Sequence, residues 1–403
     1  MKKNLFFASA FVMGMMSSCS NEVDNMTASK EKLQPVELSL KAPSVLVSPS
    51  TKGVGTVGGL ATDETANKWN GEKLHVIMMQ TQLNGAADWS VSSWSLVEDP
   101  AQSSQAVTVE NFNNLQVTAP KGAAGGNIVI NTEAPGYQPK YYPSTNSRHA
   151  FFAYHIDDAA ASQAYEPQDA PSLVDDNEAK TRSVYFLLDG TQDLMQGKAE
   201  PKSDTPDNDN IAFSAKSARA GIIPELQMKH MLSRFTFQVK GGDNQAQNLK
   251  VNKITVTSKY KGNMIVAYQN NPGNLVSFED ETAGFVLKKR TAANTEMSEI
   301  ATLDALSQDE FVQIGEAMMV APGEAKYQVE IETTQKLSDG KSTTMVHSSE
   351  IVIDPSAQVG VAQVGSSYNV KITLFANQEI KVEAALEGWN NGGDIEVKPG
   401  DDL

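Results

Sequence analysis

One cysteine, Cys19, is all that the 403 residues contain. No disulfide within the chain can brace the fold, so its rigidity has to come from packing and backbone pairing. Basic residues are scarce as well, 33 against 49 acidic ones, for a formal net charge of −16. A surface of that sign repels phosphate backbones and anionic headgroups, which argues against nucleic acid as a partner and against electrostatic attachment to a membrane face. Histidine is sparse: His75, His149, His155, His230 and His347 are scattered, and no two stand at the spacing by which a helix offers a pair to a metal. Asp204, Asp207 and Asp209 sit in a polar stretch that lacks the glycine and closing glutamate of a calcium loop. Gly53, Gly55 and Gly58 satisfy a dinucleotide-binding spacing, yet residues 59–63 offer no apolar helical face, so the stretch is expected to be a flexible linker. No carboxylate pair stands out. The expectation is a protein without cofactor, metal or catalytic residues, and not an enzyme.

Long apolar runs are missing too. The run at residues 5–16 follows Lys2 and Lys3 and is shorter than the roughly 20 residues that span a bilayer. It has the layout of a secretory signal. It ends in Ser17 and Ser18 ahead of Cys19, which resembles the lipobox of bacterial lipoproteins. That resemblance implies a signal peptide at residues 1–18, acyl chains on Cys19 and a polar tether over residues 19–34. Each acyl methylene contributes about 0.8 kcal/mol of membrane affinity, and two or more chains make anchoring stable. Loss of Lys2 and Lys3 leaves 31 basic residues against 49 acidic, a net −18.

What the chain has in quantity is strand pattern. Val36, Leu38, Leu40 and Ala42 alternate with Glu37, Ser39 and Lys41, the signature of a strand with one face in a core. Behind it, residues 48–55 form a joint of small and polar residues. Further strands are expected at residues 73–80, 89–96, 127–130, 149–154 and 183–188, rich in β-branched and aromatic residues and bounded by turn formers. A polar excursion over residues 200–210 precedes a second set at 226–239, 249–258, 327–332, 345–353, 368–374 and 380–386. Domains are therefore drawn at residues 35–220 and 221–403. Tyr368, Val370, Ile372 and Leu374 face one way, as do Ile380, Val382, Ala384 and Leu386. Repeated one-sided alternation argues an all-β chain of antiparallel sheets packed as sandwiches. Met297, Ile300, Leu303 and Leu306 recur every three residues, which predicts a helix within residues 292–310.

Several segments together resemble the fimbrillin family, the lipoprotein pilins of type V pili in Bacteroidales. They are the run Lys229-His230-Met231-Leu232-Ser233-Arg234-Phe235-Thr236-Phe237, the aromatic strand Phe151-Phe152-Ala153-Tyr154, the Gly365-Ser366-Ser367-Tyr368 lead-in, and Trp389 with the Asn390-Asn391-Gly392-Gly393 turn. The resemblance implies two transthyretin-like (Greek-key) β-sandwich domains and a fimbrial subunit serving adhesion, exported to the outer membrane through lipid on Cys19. In that family a trypsin-like protease removes the anchor with the first strand, and the opened groove takes a strand from another copy or a related pilin. Carried onto this chain, the cut falls after Lys52, where family members more often have arginine. The removable strand holds Val36, Leu38, Leu40 and Ala42. Loss of each larger side chain from a core forfeits about 1.5–3 kcal/mol and bares an edge that β-augmentation can repair. Donor candidates are Ile380, Val382, Ala384 and Leu386, and beyond the turn Ile395 and Val397. A non-polymerising protein of the same fold, an anchor or tip subunit or a glycan-binding lipoprotein, is the alternative.

Overall fold

The computed structural model describes residues 41–45, 73–81, 86–89, 113–118, 129–130, 142, 148–156, 173–201, 213–242, 248–290, 297–300, 306–337, 339–353, 360–375 and 381–387. In chain order its strands begin with β1 (Lys41–Val45), β2 (Lys73–Gln80), β3 (Asn113–Thr118), β4 (Val129–Ile130), β5 (His149–Ile156), β6 (Leu173–Asp176), β7 (Thr181–Leu187) and β8 (Leu194–Ala199). A short helix, α1 (Ala215–Arg219), follows, capped by a reciprocal Ser214 and Ser217 capping box. Then come β9 (Glu225–His230), β10 (Ser233–Gly241), β11 (Leu249–Lys259), β12 (Lys261–Tyr268), β13 (Val276–Phe278), β14 (Thr282–Val286), β15 (Lys288–Arg290) and β16 (Met297–Glu299). The series closes with β17 (Val312–Gln313), β18 (Met318–Val320), β19 (Lys326–Lys336), β20 (Ser342–Val352), β21 (Ser367–Leu374) and β22 (Lys381–Glu387). All of these lie within the unit Pro35–Leu403.

A seven-stranded sheet runs in the order β1-β9-β8-β5-β2-β3-β4. The sheet β13-β12-β7-β6 lies on it through β12, which approaches β5 and β8. Two further sheets, β17-β10-β21-β22 and β14-β11-β19-β20, share the later strands, with β18 also beside β10. Pairing among the described strands is antiparallel except for β1 with β9 and β10 with β21. The chain is therefore all-β, with mostly antiparallel sheets.

The central strands β2, β5 and β8 of the seven-stranded sheet are buried on both faces. Leu74, Val76, Met78, Phe151, Ala153, Met195, Leu226 and Met228 turn to one side, under Phe213 and Ala215. Ile77, Met79, Phe152, Tyr154 and Leu194 turn to the other and merge with a core that continues through the remaining sheets. Phe152 meets Tyr268 of β12 edge-on at 5.1 Å between ring centres. Phe235 of β10 is clasped by Tyr327 at 4.9 Å and Tyr368 at 5.8 Å, both edge-on. Aromatic pairs in this geometry gain roughly 0.5–1.5 kcal/mol beyond their area burial, so these rings fasten sheet to sheet.

The described part of residues 292–310 is not helical. Met297–Glu299 is strand β16, paired with β15, and Ile300 and Leu306 are buried in the main core. The three-residue apolar spacing there marks two residues that reach the core from non-helical positions, and tertiary packing overrides the local pattern. Strands on the two sides of Gly221 also share sheets: β9 lies beside β8, and β12 beside β7.

Candidate functional site

The first strand forms one edge of the seven-stranded sheet. Lys41 stands opposite Glu225, Ser44 opposite Gln227 and Val45 opposite Met228, running parallel to β9. Three residues of β1 are thus spent against two of β9, and the extra one falls at Ala42-Pro43. Proline has no N–H to give to a ladder and is confined to edges and bulges, so Pro43 explains both the irregularity and the strand's place at the rim. On its other side β9 keeps an unbroken antiparallel register with β8, from Met195 opposite His230 to Ala199 opposite Leu226. Leu226 and Met228 of β9 are buried in the core. One neighbour of β9 is held along its length and the other at three described pairs.

Close packing fixes β9 from below. At Gly197 of β8 a Cβ would meet the Gln227 carbonyl oxygen at 2.6 Å and Met228 Sδ at 2.6 Å, so only glycine lets β8 and β9 approach this closely. At the far end, the Nδ1 of His230 and the Oδ2 of Asp193 lie 2.6 Å apart, both side chains buried. His230 is thereby held in place at the end of β9 by a buried carboxylate. Asp193, Gly197 and Pro43 are the residues that sequence reasoning missed. A proline inside a short alternating stretch is the one local signal that could have pointed to an edge.

The run from Lys229 to Phe237 is where the chain steps between sheets. His230 ends β9, and Ser233 opens β10 by donating its hydroxyl to the Gln363 carbonyl at 2.7 Å. The Arg234 N–H donates to the Ser366 carbonyl, and the Gly365 N–H donates to that of Leu232, both at 2.9 Å. Gly365 has a φ of +69°, a conformation that glycine adopts without strain. The two motifs therefore form one knot: 363–368 ties the crossing at 230–234 and launches β21 alongside β10.

Of the expected site residues, Ala42 lies in β1, in a strand that begins at Lys41. Val36, Leu38, Leu40, Cys19 and Lys52 lie outside the described residues, as do Ile380, Ile395 and Val397. Val382 and Ala384 are buried in β22, and Leu386 stands opposite Tyr368. Strand β22 pairs with β21 from Ser367–Glu387 to Thr373–Lys381 and ends its sheet. Among the described residues no group of three His, Cys, Asp or Glu side chains could hold a metal, and no helix is long and apolar enough to cross a membrane. Burial pushes the His149 imidazole down to about 4, only partly opposed by the neighbouring Phe213 backbone, so this ring in β5 is neutral near pH 7.

Among solved structures, a candidate cell adhesion protein from Bacteroides uniformis is similar at 14% identity and a TM-score of 0.45, with 89% of this chain and 98% of that one covered. The fimbrial anchor protein Mfa2 from Porphyromonas gingivalis is similar at 10% identity and a TM-score of 0.32, over 88% and 98%. The tip fimbrial protein Mfa3 from the same organism is similar at 9% identity and a TM-score of 0.35, over 88% and 100%. No curated protein matches. The model of the fimbrillin-like family matches residues 65–389, a span that takes in every described strand except β1, and the chain belongs to that family.

Proposed function

We propose that this chain is a subunit of a cell-surface fimbria that serves adhesion. It is exported as a lipoprotein on Cys19, reaches the outer membrane, and is trimmed after Lys52 by a trypsin-like protease. Trimming releases β1, and a strand from another copy or a related pilin takes the vacated place beside β9. Two lobes, residues 35–220 and 221–403, divide the chain, with β9, β12 and β13 reaching back into the sheets of the first. The protein acts by assembly and not by catalysis.

The observation that carries this reading is the way β1 is held: a five-residue, proline-bearing, bulged edge strand parallel to β9. Its departure would strand the outward N–H and C=O groups of β9 above a formed core, and each restored hydrogen bond contributes about 0.5–1.5 kcal/mol net. A donated strand supplies those bonds. Of the two donor candidates, β22 already pairs with β21 and buries Val382 and Ala384, so giving it away would open its own sheet. The segment with Ile395 and Val397 is the cheaper donor.

Limited trypsin digestion of the mature protein, N-terminal sequencing and electrophoresis without boiling test the proposal. The expected result is a new N-terminus at Gly53 and SDS-resistant multimers, both lost in Lys52→Ala. Multimers that retain β1 would overturn it. Truncation of residues 394–403 should impair assembly while leaving trimming intact.

A further inference from the structure

The edges of the described sheets are not alike. Natural sheets protect their rims with short strands, charges, prolines or bulges, because an open edge is a template for another strand. Here β4 and β17 have two residues each and β13 has three. Strand β6 has four and carries Asp175 and Asp176, β1 has Pro43 and its bulge, β14 has five residues, and β22 carries Lys381, Glu383 and Glu387. Strand β20 is the exception. It runs for eleven residues with no proline and one charge, Glu350, and its register with β19 is unbroken. Glu350 is itself held by Lys326 and Gln328 at 2.8 and 2.9 Å.

The free side of this strand can be read from the ladder. The Leu337 N–H donates to Lys341 and the Ile353 N–H to Ala325, in the same register that pairs Lys326 with Val352. Hydrogen-bonded pairs alternate in an antiparallel ladder, so the odd-numbered residues of β20 bond to β19. Ser342, Thr344, Val346, Ser348 and Glu350 therefore present their N–H and C=O groups outward. Val346 is 61% exposed, an unusual position for a large aliphatic side chain.

We propose that β20 is a self-pairing edge, which joins two copies of this chain antiparallel about a two-fold axis through Val346. That register sets Val346 against its own copy, Thr344 against Ser348 and Ser342 against Glu350, and on the other face Met345 against His347. It covers the exposed valine, keeps the two Glu350 carboxylates from opposing each other, and satisfies about ten outward backbone bonds. A second copy fits better than a foreign strand because no residue of β20 meets a like charge in it. Glu330 and Glu332 of β19 stand one strand further back. The pairing goes beyond strand exchange and does not need β1 to leave, so it is a contact available to the untrimmed chain. On an assembled fibre such weak contacts would multiply by valency.

The test uses the untrimmed full chain carrying Cys19→Ser, so that an added cysteine is the only thiol. In the proposed register the two Val346 Cα atoms lie about 5.5 Å apart, inside the roughly 4.4–6.8 Å that a disulfide spans. Val346→Cys should form covalent dimers under mild oxidation at least tenfold faster than Ser342→Cys, an exposed control that the register sets opposite Glu350. Val346→Pro removes an outward N–H without touching the bonds to β19, and should weaken dimerisation in sedimentation equilibrium at least tenfold with an unchanged circular dichroism spectrum. Equal cross-linking of the two cysteine variants, or a strictly monomeric parent chain at high concentration, would overturn the proposal. Neither result depends on cleavage after Lys52.

Discussion

Strands β5 and β20 are both hydrogen-bonded into antiparallel ladders, yet all eight residues of β5 are buried, while in β20 only Ile351 is. The first sits between two cores, with Phe151 and Ala153 on one face and Phe152 and Tyr154 on the other. The second is hydrogen-bonded to β19 alone among the described strands, although it also approaches β22. Stability and availability are thus divided between regions: a sheet covered on both faces at its centre fixes the fold, while the rims at β1 and β20 are the proposed meeting places for other strands. The sharpest way to break the comparison is to cut into β5. Phe152→Ala removes a ring that is 1% exposed and packs edge-on against Tyr268. It should cost about 3–5 kcal/mol, read as a large fall in the urea midpoint. A loss below about 1 kcal/mol would mean that the two layers meet elsewhere.

Acid should separate the same two regions. His149 in β5 is fully buried, and burial lowers it to about 4 from the ordinary 6.5. The unfolded chain then binds the proton first, so this contribution is complete above pH 6.5 and is lost as pH falls toward 4. It amounts to about 3 kcal/mol. His347 in β20 is also lowered by burial, but it is half-exposed and should add little slope. Urea midpoints between pH 7.5 and 4.5 should flatten in His149→Phe and keep their slope in His347→Gln. The reverse assignment would place the acid-sensitive point in the hairpin.

Why the two strands differ was only half legible in the residues. The period-two pattern of β21 places Tyr368, Val370, Ile372 and Leu374 on one face, and all four are buried. In β5 the aromatic run marks a strand, but a run apolar at every position carries no face information, and only the sheets above and below decide that both sides are covered. Strand order is less visible still. Nothing local in Lys41–Val45 announces a parallel partner more than 180 positions away, and nothing in β12 says that it will pair with β7. Alternation reports which face is dry, whereas neighbours are chosen by long-range packing. The same reason works against the helix expected within residues 292–310, where Met297–Glu299 is a strand and Ile300 and Leu306 reach the core without being helical.

A smaller effect tests the rim at β1. Gly197→Ala would push a methyl group into the Gln227 carbonyl and Met228 Sδ, each 2.6 Å from its position. Backbone cannot yield as a side-chain tip can, so the change should cost about 1–3 kcal/mol. Because Gln227 and Met228 are the residues that face Ser44 and Val45, the cost should appear first as loosened β1. Amide exchange in β1 should quicken by more than tenfold while β5 stays protected. Equal loss of protection in both would mean that the edge and the centre of this sheet open together.

The smallest effect belongs to β20. Val346 is 61% exposed, its backbone N–H and C=O point away from β19, and its cross-strand partner is Glu332. Val346→Ala therefore removes little buried surface from the monomer. It forfeits chiefly strand preference, which spans about 1 kcal/mol over all residues, and should shift stability by less than about 0.5 kcal/mol, as surface substitutions do. A loss of 2 kcal/mol or more would show that β20 is already covered in the monomer. A near-zero shift together with weakened self-association would separate the two duties along one strand, with Ile351 holding the fold and Val346 free to meet a neighbour.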